Sequence, residues 1–474
     1  MTGAAVGSGT GSVTVRAPAT ALAGWVLVDW AVQPFHTQIV TFLFAPYFTT
    51  AVVGDAARGQ ALWGYAAAVA GVLIATGGPV LGAMADRGRR KPWVAASVAI
   101  MAVAAASLWY ARPGVGGLAI FLVLVAFVIA TAMAEFTTVF TNSLMPKLVP
   151  PNELGRLSGT SWAVAFAGGL LSLIIMAGFI VSDPATGKTL MGLQPLVELD
   201  AGAREGDRMA GPFAAIWLLI FIVPFFLFVP DARAARGIDV ATKRVSPFAD
   251  LWVTLKALPS MPSMLFFLIA RALYTDGLSA IFVFGGIYGT AVFGWELGER
   301  GLFGIVLIVA GVIGASIGGI LDDKLGSKRV IIGALVLLIA GAVGILSVTS
   351  SHVLFSVPVA PKVAGAGTFA SAGEQVFLAF ACLVAVAAAP NQSASRSLLA
   401  RLAPPDQMAR FFGLFAFSGK VTAFLAPLAI ALVTQISGSQ RLGMATILLF
   451  LIAGIVLLWP VSDRREGNLS QTMR

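Results

Sequence analysis

Stretches of about twenty apolar residues recur along this chain, and each is long enough as a helix to cross the ~30 Å hydrocarbon core of a bilayer. Twelve are counted, at roughly 22–50, 60–82, 93–111, 116–145, 157–181, 212–230, 263–290, 301–321, 329–350, 372–400, 408–436 and 442–461. Away from water every backbone N–H and C=O must be satisfied, and an α-helix does this within one segment. Only 11% of the residues are charged, against roughly 25% in a soluble domain, so these segments cannot all be covered by a hydrated surface. The expected fold class is an all-α polytopic membrane protein with twelve transmembrane helices. The single cysteine, Cys382, rules out an intramolecular disulfide framework. The first twenty residues contain no apolar signal segment and read as a disordered tail.

The basic residues give an orientation. With the N-terminus in the cytoplasm, 21 of the 31 Lys and Arg fall in cytoplasmic segments, Arg396 among them, and eight in outer loops, while Arg271 and Lys420 lie inside spans. Cytoplasmic loops are enriched in Lys and Arg. The net charge of +9 is therefore read as a topology signal, with no nucleic-acid partner expected. Both termini are expected in the cytoplasm, and the membrane is expected to be the plasma (inner) membrane. The longest polar segments are 182–211, outside, and 231–262, inside. The second reads as a linker between six-helix halves at 21–230 and 263–461, with cytoplasmic tails at 1–20 and 462–474. An internal repeat supports this division. "SLMPKLVPPNELGRLSG" (143–159) aligns with "SLLARLAPPDQMARFFG" (397–413) at an offset of 254. "GAMADRGRRK" (82–91) aligns with "GGILDDKLGSKR" (318–329) at 236, through Gly82/Gly318 and Asp86/Asp322. Two parallel copies of a six-span unit imply a pseudo-twofold axis along the membrane normal. Gly311, Gly314 and Gly318 are spaced for close helix contact.

The Gly, small residue, Asp and basic cluster of "GAMADRGRRK" resemble the signature loop of the major facilitator superfamily, one residue short between Arg87 and Gly88. "WVLVDWAVQPFHTQIVTFLFAPYF" (25–48), "RALYTDGLSAIFVFGGIYG" (271–289) and "NQSASRSLLARLAPPDQMARFFGLFAFSGKVTAFLAP" (391–427) resemble bacterial relatives of the autophagy-linked vacuolar effluxers. The Gln-x-x-Ser-Arg-Ser element at 392–397 is the best mark of that branch. The resemblance implies two pseudo-symmetric six-helix halves in the major facilitator fold, with spans 1, 4, 7 and 10 lining a central cavity. It also implies solute transport, and it favours amino acids.

Asp86 ends span 2 on the side where span 11 begins. The Pro-Pro-Asp at 404–406 and the Pro-Pro-Asn at 150–152 are helix starts, with Asp406 and Asn152 as the expected N-caps. A helix N-terminus carries partial positive charge. Asp86 is therefore expected to bind the start of span 11, and Asp322 the start of span 5. By the resemblance, both would act as latches on the cytoplasmic side, with Arg87 and Arg90 in the same loop. The plainer alternative is that Asp86 only neutralises these arginines.

Seven ionisable groups inside spans stand out as candidates: Asp29, His36, Glu135, Arg271, Asp276, Glu374 and Lys420. Such a charge costs ~2.5–3.5 kcal/mol at mid-bilayer on insertion scales, so it faces a partner, a cavity or a pathway. Asp276 and Glu135 are the expected proton carriers, since coupling needs a carboxylate whose affinity for a proton changes as the cavity opens to either side. Arg271 or Lys420 is the expected anchor for a substrate carboxylate or phosphate, and Gln33 adds a neutral hydrogen-bonding group. Arg271 and Asp276 are five residues apart and face different ways on an intact helix. Gly277, Gly285 and Gly286 make a break in span 7 plausible, and Arg271 is expected to pair across helices, with Glu135 as the candidate. For each charge the alternative is a buried salt bridge that only fixes packing.

Other chemistries lack their residues. "GLFAFSGKVT" (413–422) has the wrong spacing for a phosphate loop, and two His with one Cys are too few for a membrane haem or metal enzyme. Neither an enzyme nor a resident cofactor is expected, and a proton gradient is the expected driving force. The expected partners are a small-molecule solute and the bilayer, with the protein a monomer. The reading is a secondary active transporter for a small polar organic solute, working by alternating access. The alternatives are a permease for a larger solute, such as a sugar derivative, siderophore or lipid-linked compound, and a non-transporting sensor or scaffold.

Overall fold

A computed structural model describes residues 16–182, 186–231, 252, 255–295, 297–363 and 367–463. Among these residues, ten helices are long and apolar enough to cross a membrane. They correspond to span 2 (Ala56–Asp86), span 3 (Lys91–Ser107), span 4 (Gly117–Asn142), span 5 (Leu154–Ile175), span 6 (Ala210–Phe221 and Val223–Phe228), span 7 (Pro262–Phe293), span 8 (Leu297–Leu325), span 9 (Ser327–Leu346), span 10 (Ala372–Leu402) and span 12 (Gln440–Ala445 and Ile447–Leu458). Spans 1 and 11 complete the twelve, each in pieces.

Proline stands at both interruptions, where it lacks the N–H that the helical ladder needs. Span 1 is α-helical over Ala19–Pro34 and widens to a π-helix over Phe35–Phe42. It then passes Pro46 in a short helix, Phe44–Tyr47, to a second π stretch, Phe48–Val52. Span 11 is a helix over Met408–Ser418, a set of turns over 419–424, and a second helix over Leu425–Ser437. Pro427 sits in the first turn of that second helix and has no N–H to offer the Ala423 carbonyl. The break that the glycines of span 7 made plausible is not there: the helix is continuous from Pro262 to Phe293. The expected N-terminal tail is also shorter at its ordered end, since Ala17 N donates to the Leu148 carbonyl at 2.8 Å and the helix starts at Ala19. Most of the expected linker and both extreme tails lie outside the described residues.

The halves meet through two seams, span 2 against span 11 and span 5 against span 8. Glycines let the backbones approach closely. A Cβ on Gly82 would strike the Ala409 carbonyl, and one on Gly319 would lie 2.8 Å from the Gly155 carbonyl. Gly78 faces Gly413 in one seam, and Gly159 faces Gly319 in the other. These contacts pair Gly82 with Gly319, 237 residues apart, and correct the expected Gly82/Gly318 register by one residue. The sequence allowed either, because glycine is doubled at 318–319 and aspartate at 322–323.

A second set of contacts obeys the corrected register. Asp231 accepts from Lys91 N at 3.4 Å, and Lys91 Nζ donates to the Phe226 carbonyl at 2.8 Å. Asp463 accepts from Lys328 N at 2.9 Å, and Lys328 Nζ donates to the Trp459 carbonyl at 2.6 Å. In each half, the end of the sixth span thus caps the start of the third. Gly314 and Gly318 seat span 10 on span 8, and a Cβ at Gly318 would come 2.5 Å from Pro390 Cβ.

Candidate functional site

At one end of the bundle, polar contacts tie the halves together. Asp86 Oδ1 accepts from Ala409 N at 2.9 Å and Oδ2 from Arg410 N at 2.8 Å, while Arg90 Nη2 donates to Oδ1 at 2.8 Å. The carboxylate therefore caps the first helix of span 11 from the opposite half, and Arg90 holds it in place. Arg87 stands exposed just past the end of span 2.

In the other seam Asp323 does this, and the expectation for Asp322 is corrected. Asp323 Oδ1 accepts from Gly155 N at 2.8 Å and Oδ2 from Arg156 N at 2.9 Å. Asp322 is buried and accepts instead from Ser327 Oγ at 2.6 Å and Arg401 Nη1 at 2.8 Å. The reason is the register: Asp323 lies four residues beyond Gly319, as Asp86 lies four beyond Gly82. Asn152 and Asp406 are not caps. Each is exposed in a 3-10 turn before its helix, and neither helix start has a side-chain cap from its own chain segment. The N–H groups that a local cap would take are bonded across the seam.

A third contact lies between the seams. Arg396 of span 10 donates from Nε to Ser158 Oγ at 2.8 Å and from Nη2 to the Ser158 carbonyl at 2.7 Å. Its Nη1 donates to Asp29 Oδ2 at 2.8 Å and to Asn142 Oδ1 at 3.3 Å. The guanidinium lies 5.1 Å from the Trp25 ring centroid. Asp29 also accepts from Ser161 Oγ at 2.5 Å. Arg396 and Asn142 are 254 residues apart, so they are repeat equivalents that touch near the pseudo-twofold axis.

Beyond this seal a second group gathers. The charges of Glu135, Lys420 and Asp29 all reach His36, and that of Glu135 also reaches Arg271. Glu135 and His36 are half-buried, and Lys420 is exposed in the turns that interrupt span 11. Among the described residues, the side chains of Glu135 and Lys420 make neither an ion pair nor a hydrogen bond. Gln33 is half-buried and packs with Thr37 on Gly169 of span 5.

Arg271 does not pair with Glu135. Its Nη1 donates to the Phe415 carbonyl at 2.5 Å and to Ser418 Oγ at 2.9 Å, and its guanidinium carbon lies 3.3 Å from the Phe415 ring centroid. Asp276 is 3% exposed and accepts from Ala426 N at 2.9 Å through Oδ2. A carbonyl and a helix end thus take the places that the sequence reading gave to a charged partner.

Residues 56–469 match the family described as vacuole effluxer Atg22 like. The chain belongs to this family. An uncharacterized MFS-type transporter of Bacillus subtilis (strain 168), YxiO, is 22% identical over 462 residues, which are 94% of this chain and 96% of that protein. Autophagy-related protein 22 of Cryptococcus neoformans var. neoformans serotype D (strain B-3501A) is 26% identical over 321 residues, 65% of this chain. The match spans 53% of the fungal protein. In fold, the chain is similar to the E. coli fucose:proton symporter FucP, with a TM-score of 0.67 at 15% identity, over 94% of this chain and 98% of that one. It is also similar to a bacterial homologue of the iron transporter ferroportin in an outward-facing state, with a TM-score of 0.63 at 17% identity, over 92% and 98%. The fold is that of major facilitator transporters, and the protein is a multi-pass membrane protein.

In this Atg22-like chain Glu374 stands apart from the central group and is corrected as a cavity residue. It is fully buried and forms a capping box with Ser371 at the start of span 10. It also accepts from Trp295 Nε1 at 2.8 Å and pairs with Lys362 at 3.1 Å. Its position at N3 of a helix behind a serine is a sequence-level capping signal. Arg396 was missed for a different reason. Sequence reasoning groups it with the cytoplasmic basic residues although the expected span 372–400 already contains it, and the helix Ala372–Leu402 buries it. Its place within Gln-x-x-Ser-Arg-Ser, after an apolar run, was the available signal.

Proposed function

We propose that this Atg22-like protein is a secondary active transporter that moves a small polar organic solute by alternating access, and that the solute is a zwitterion, an amino acid or a near relative. The observation that carries this reading is the pair Glu135 and Lys420. They bring opposite charges from opposite halves, both charges reach His36, and neither side chain has a partner of its own among the described residues. A charge away from bulk water is costly without a partner. Glu135 is half-buried, so a ligand ammonium beside it relieves that cost, while the exposed Lys420 stands open to a ligand carboxylate.

The seals support the second part. Asp86, Asp323 and Arg396 close one end, which the Lys and Arg bias assigns to the cytoplasm. The second helix of span 11 has its main neighbours in spans 7 and 12 of its own half, leaving the far end of that seam free to part. This arrangement corresponds to an outward-facing state, and the cycle requires the three seals to break together. Proton coupling is assigned to Glu135. Of the acids inside the spans, Asp29 is paired with Arg396, Asp276 caps a helix and Glu374 holds a loop, which leaves Glu135 as the one without a fixed partner.

The test is uptake into proteoliposomes of the common amino acids and a panel of sugars, with and without a pH gradient. At least one amino acid should accumulate in a gradient-dependent way. Glu135→Gln should abolish accumulation while leaving exchange, and Lys420→Ala should raise KM. Uptake confined to sugars, or amino-acid uptake that both substitutions leave intact, would remove the zwitterion site.

A further inference from the structure

Span 7 carries Arg271 and Asp276 on one continuous helix, about 7.5 Å apart in rise at 1.5 Å per residue. Each holds one end of the interruption in span 11. Arg271 holds the C-terminal end of the first helix, through the Phe415 carbonyl and Ser418 Oγ. Asp276 holds the N-terminal end of the second, through Ala426 N. Between these two grips, Thr422 Oγ1 donates to the Ala272 carbonyl at 3.0 Å. The charges match the helix ends, a cation where the dipole is negative and an anion where it is positive. The chain also makes room for the contact, because a Cβ on Gly419 would come 2.6 Å from Arg271 Nη1. Neither Arg271 nor Asp276 forms an ion pair among the described residues, so a packing salt bridge does not explain them.

We propose that Arg271 and Asp276 are positioning residues: a charge-matched clamp that holds span 11 interrupted at 419–424 and thereby fixes where Lys420 stands. Only the last step rests on the assignment of Lys420 to substrate binding. Asp276 then serves as a hydrogen-bond acceptor at a helix start, a role that asparagine also fills, and it carries no proton in the cycle.

The test does not require the substrate. In a Cys382→Ser background, Val421→Cys reports on the interrupted segment and Leu354→Cys on an outer hairpin far from it. The measurement is the rate at which a membrane-impermeant methanethiosulfonate modifies each in proteoliposomes. Asp276→Ala and Arg271→Ala should each change the rate at 421 by about fivefold or more, as expected for a lost cap, and leave the rate at 354 unchanged. Asp276→Asn should match the parent at 421. Gly419→Ala keeps both charges but displaces the guanidinium, and it should reproduce the Arg271→Ala shift. An unchanged rate in Asp276→Ala overturns the clamp, as does an Asp276→Asn shift as large as that of Asp276→Ala. If the shifts appear while no amino acid is transported, the clamp stands and the zwitterion site falls.

Discussion

Asp86 and Asp323 each take two backbone N–H groups from the opposite half, and a hydrogen bond to a charged group contributes about 1.5–3 kcal/mol. Removing one carboxylate should therefore shift the balance between closed and open ends by tenfold or more. Asp323→Ala is expected to raise the modification rate of a cysteine placed at Ser393, which is buried under the closed end. Asp322→Asn, by contrast, should act mainly on the Arg401 and Ser327 contacts in its own half. Arg396→Lys should fail to replace arginine, because an ammonium cannot reach Ser158, Asp29 and Asn142 in the fork geometry that a guanidinium offers. The expected outcome is a Tm several degrees lower in detergent. Outside the membrane, burial works against the Lys362 ammonium, but its bonds to Glu299 at 2.5 Å and to Glu374 outweigh this and raise its pKa above the ordinary 10.5. A cation with a raised pKa contributes stability that is whole below the unfolded value and is lost as pH rises through the folded one. The loop around Lys362 should loosen only in strong alkali, and Glu299→Gln should shrink that transition when it is followed by hydrogen exchange or proteolysis.

At the scale of elements, the even helices and the broken ones follow different rules. Apolar length was enough to find spans 2 to 10 and 12, because a bilayer leaves the backbone no other solution. It was not enough for spans 1 and 11, where Pro34, Pro46 and Pro427 change the ladder while hydropathy stays high. The glycines of span 7 gave a false signal. Gly277 is used for packing against Phe450 and Leu451 of span 12, and the helix runs through it without interruption. Pro427→Ala restores a donor to the Ala423 carbonyl, so it should slow hydrogen exchange over 424–428 and reduce transport. Gly314→Ala would drive a Cβ into the Val386 carbonyl. An overpacked contact of this kind costs about 1–3 kcal/mol, and a lower Tm is the measurement that checks it.

For the whole molecule, the two seams and the Arg396 contact form one closed end, and alternating access requires them to part as a unit. Ser158 Oγ donates to the Ser393 carbonyl at 2.8 Å across the halves. Ser158→Cys with Ser393→Cys, in the Cys382→Ser background, should form a disulfide under oxidation and stop turnover. Reduction should restore the rate of the reduced double variant, and turnover that persists in the oxidised form would argue against the rocking of halves.

The sequence by itself determined the twelve spans, the division into two similar halves and which spans carry charge. Those features depend on chain length, apolar content and repetition, all of which are local. Only the tertiary structure chose between Asp322 and Asp323, brought Arg396 to Asp29, and gave Arg271 and Asp276 the two ends of a broken helix. A doublet of identical residues permits either register until a neighbouring backbone selects one. A buried charge declares that it needs a partner but does not name it, because that partner lies hundreds of residues away or is a backbone group that carries no mark in the sequence.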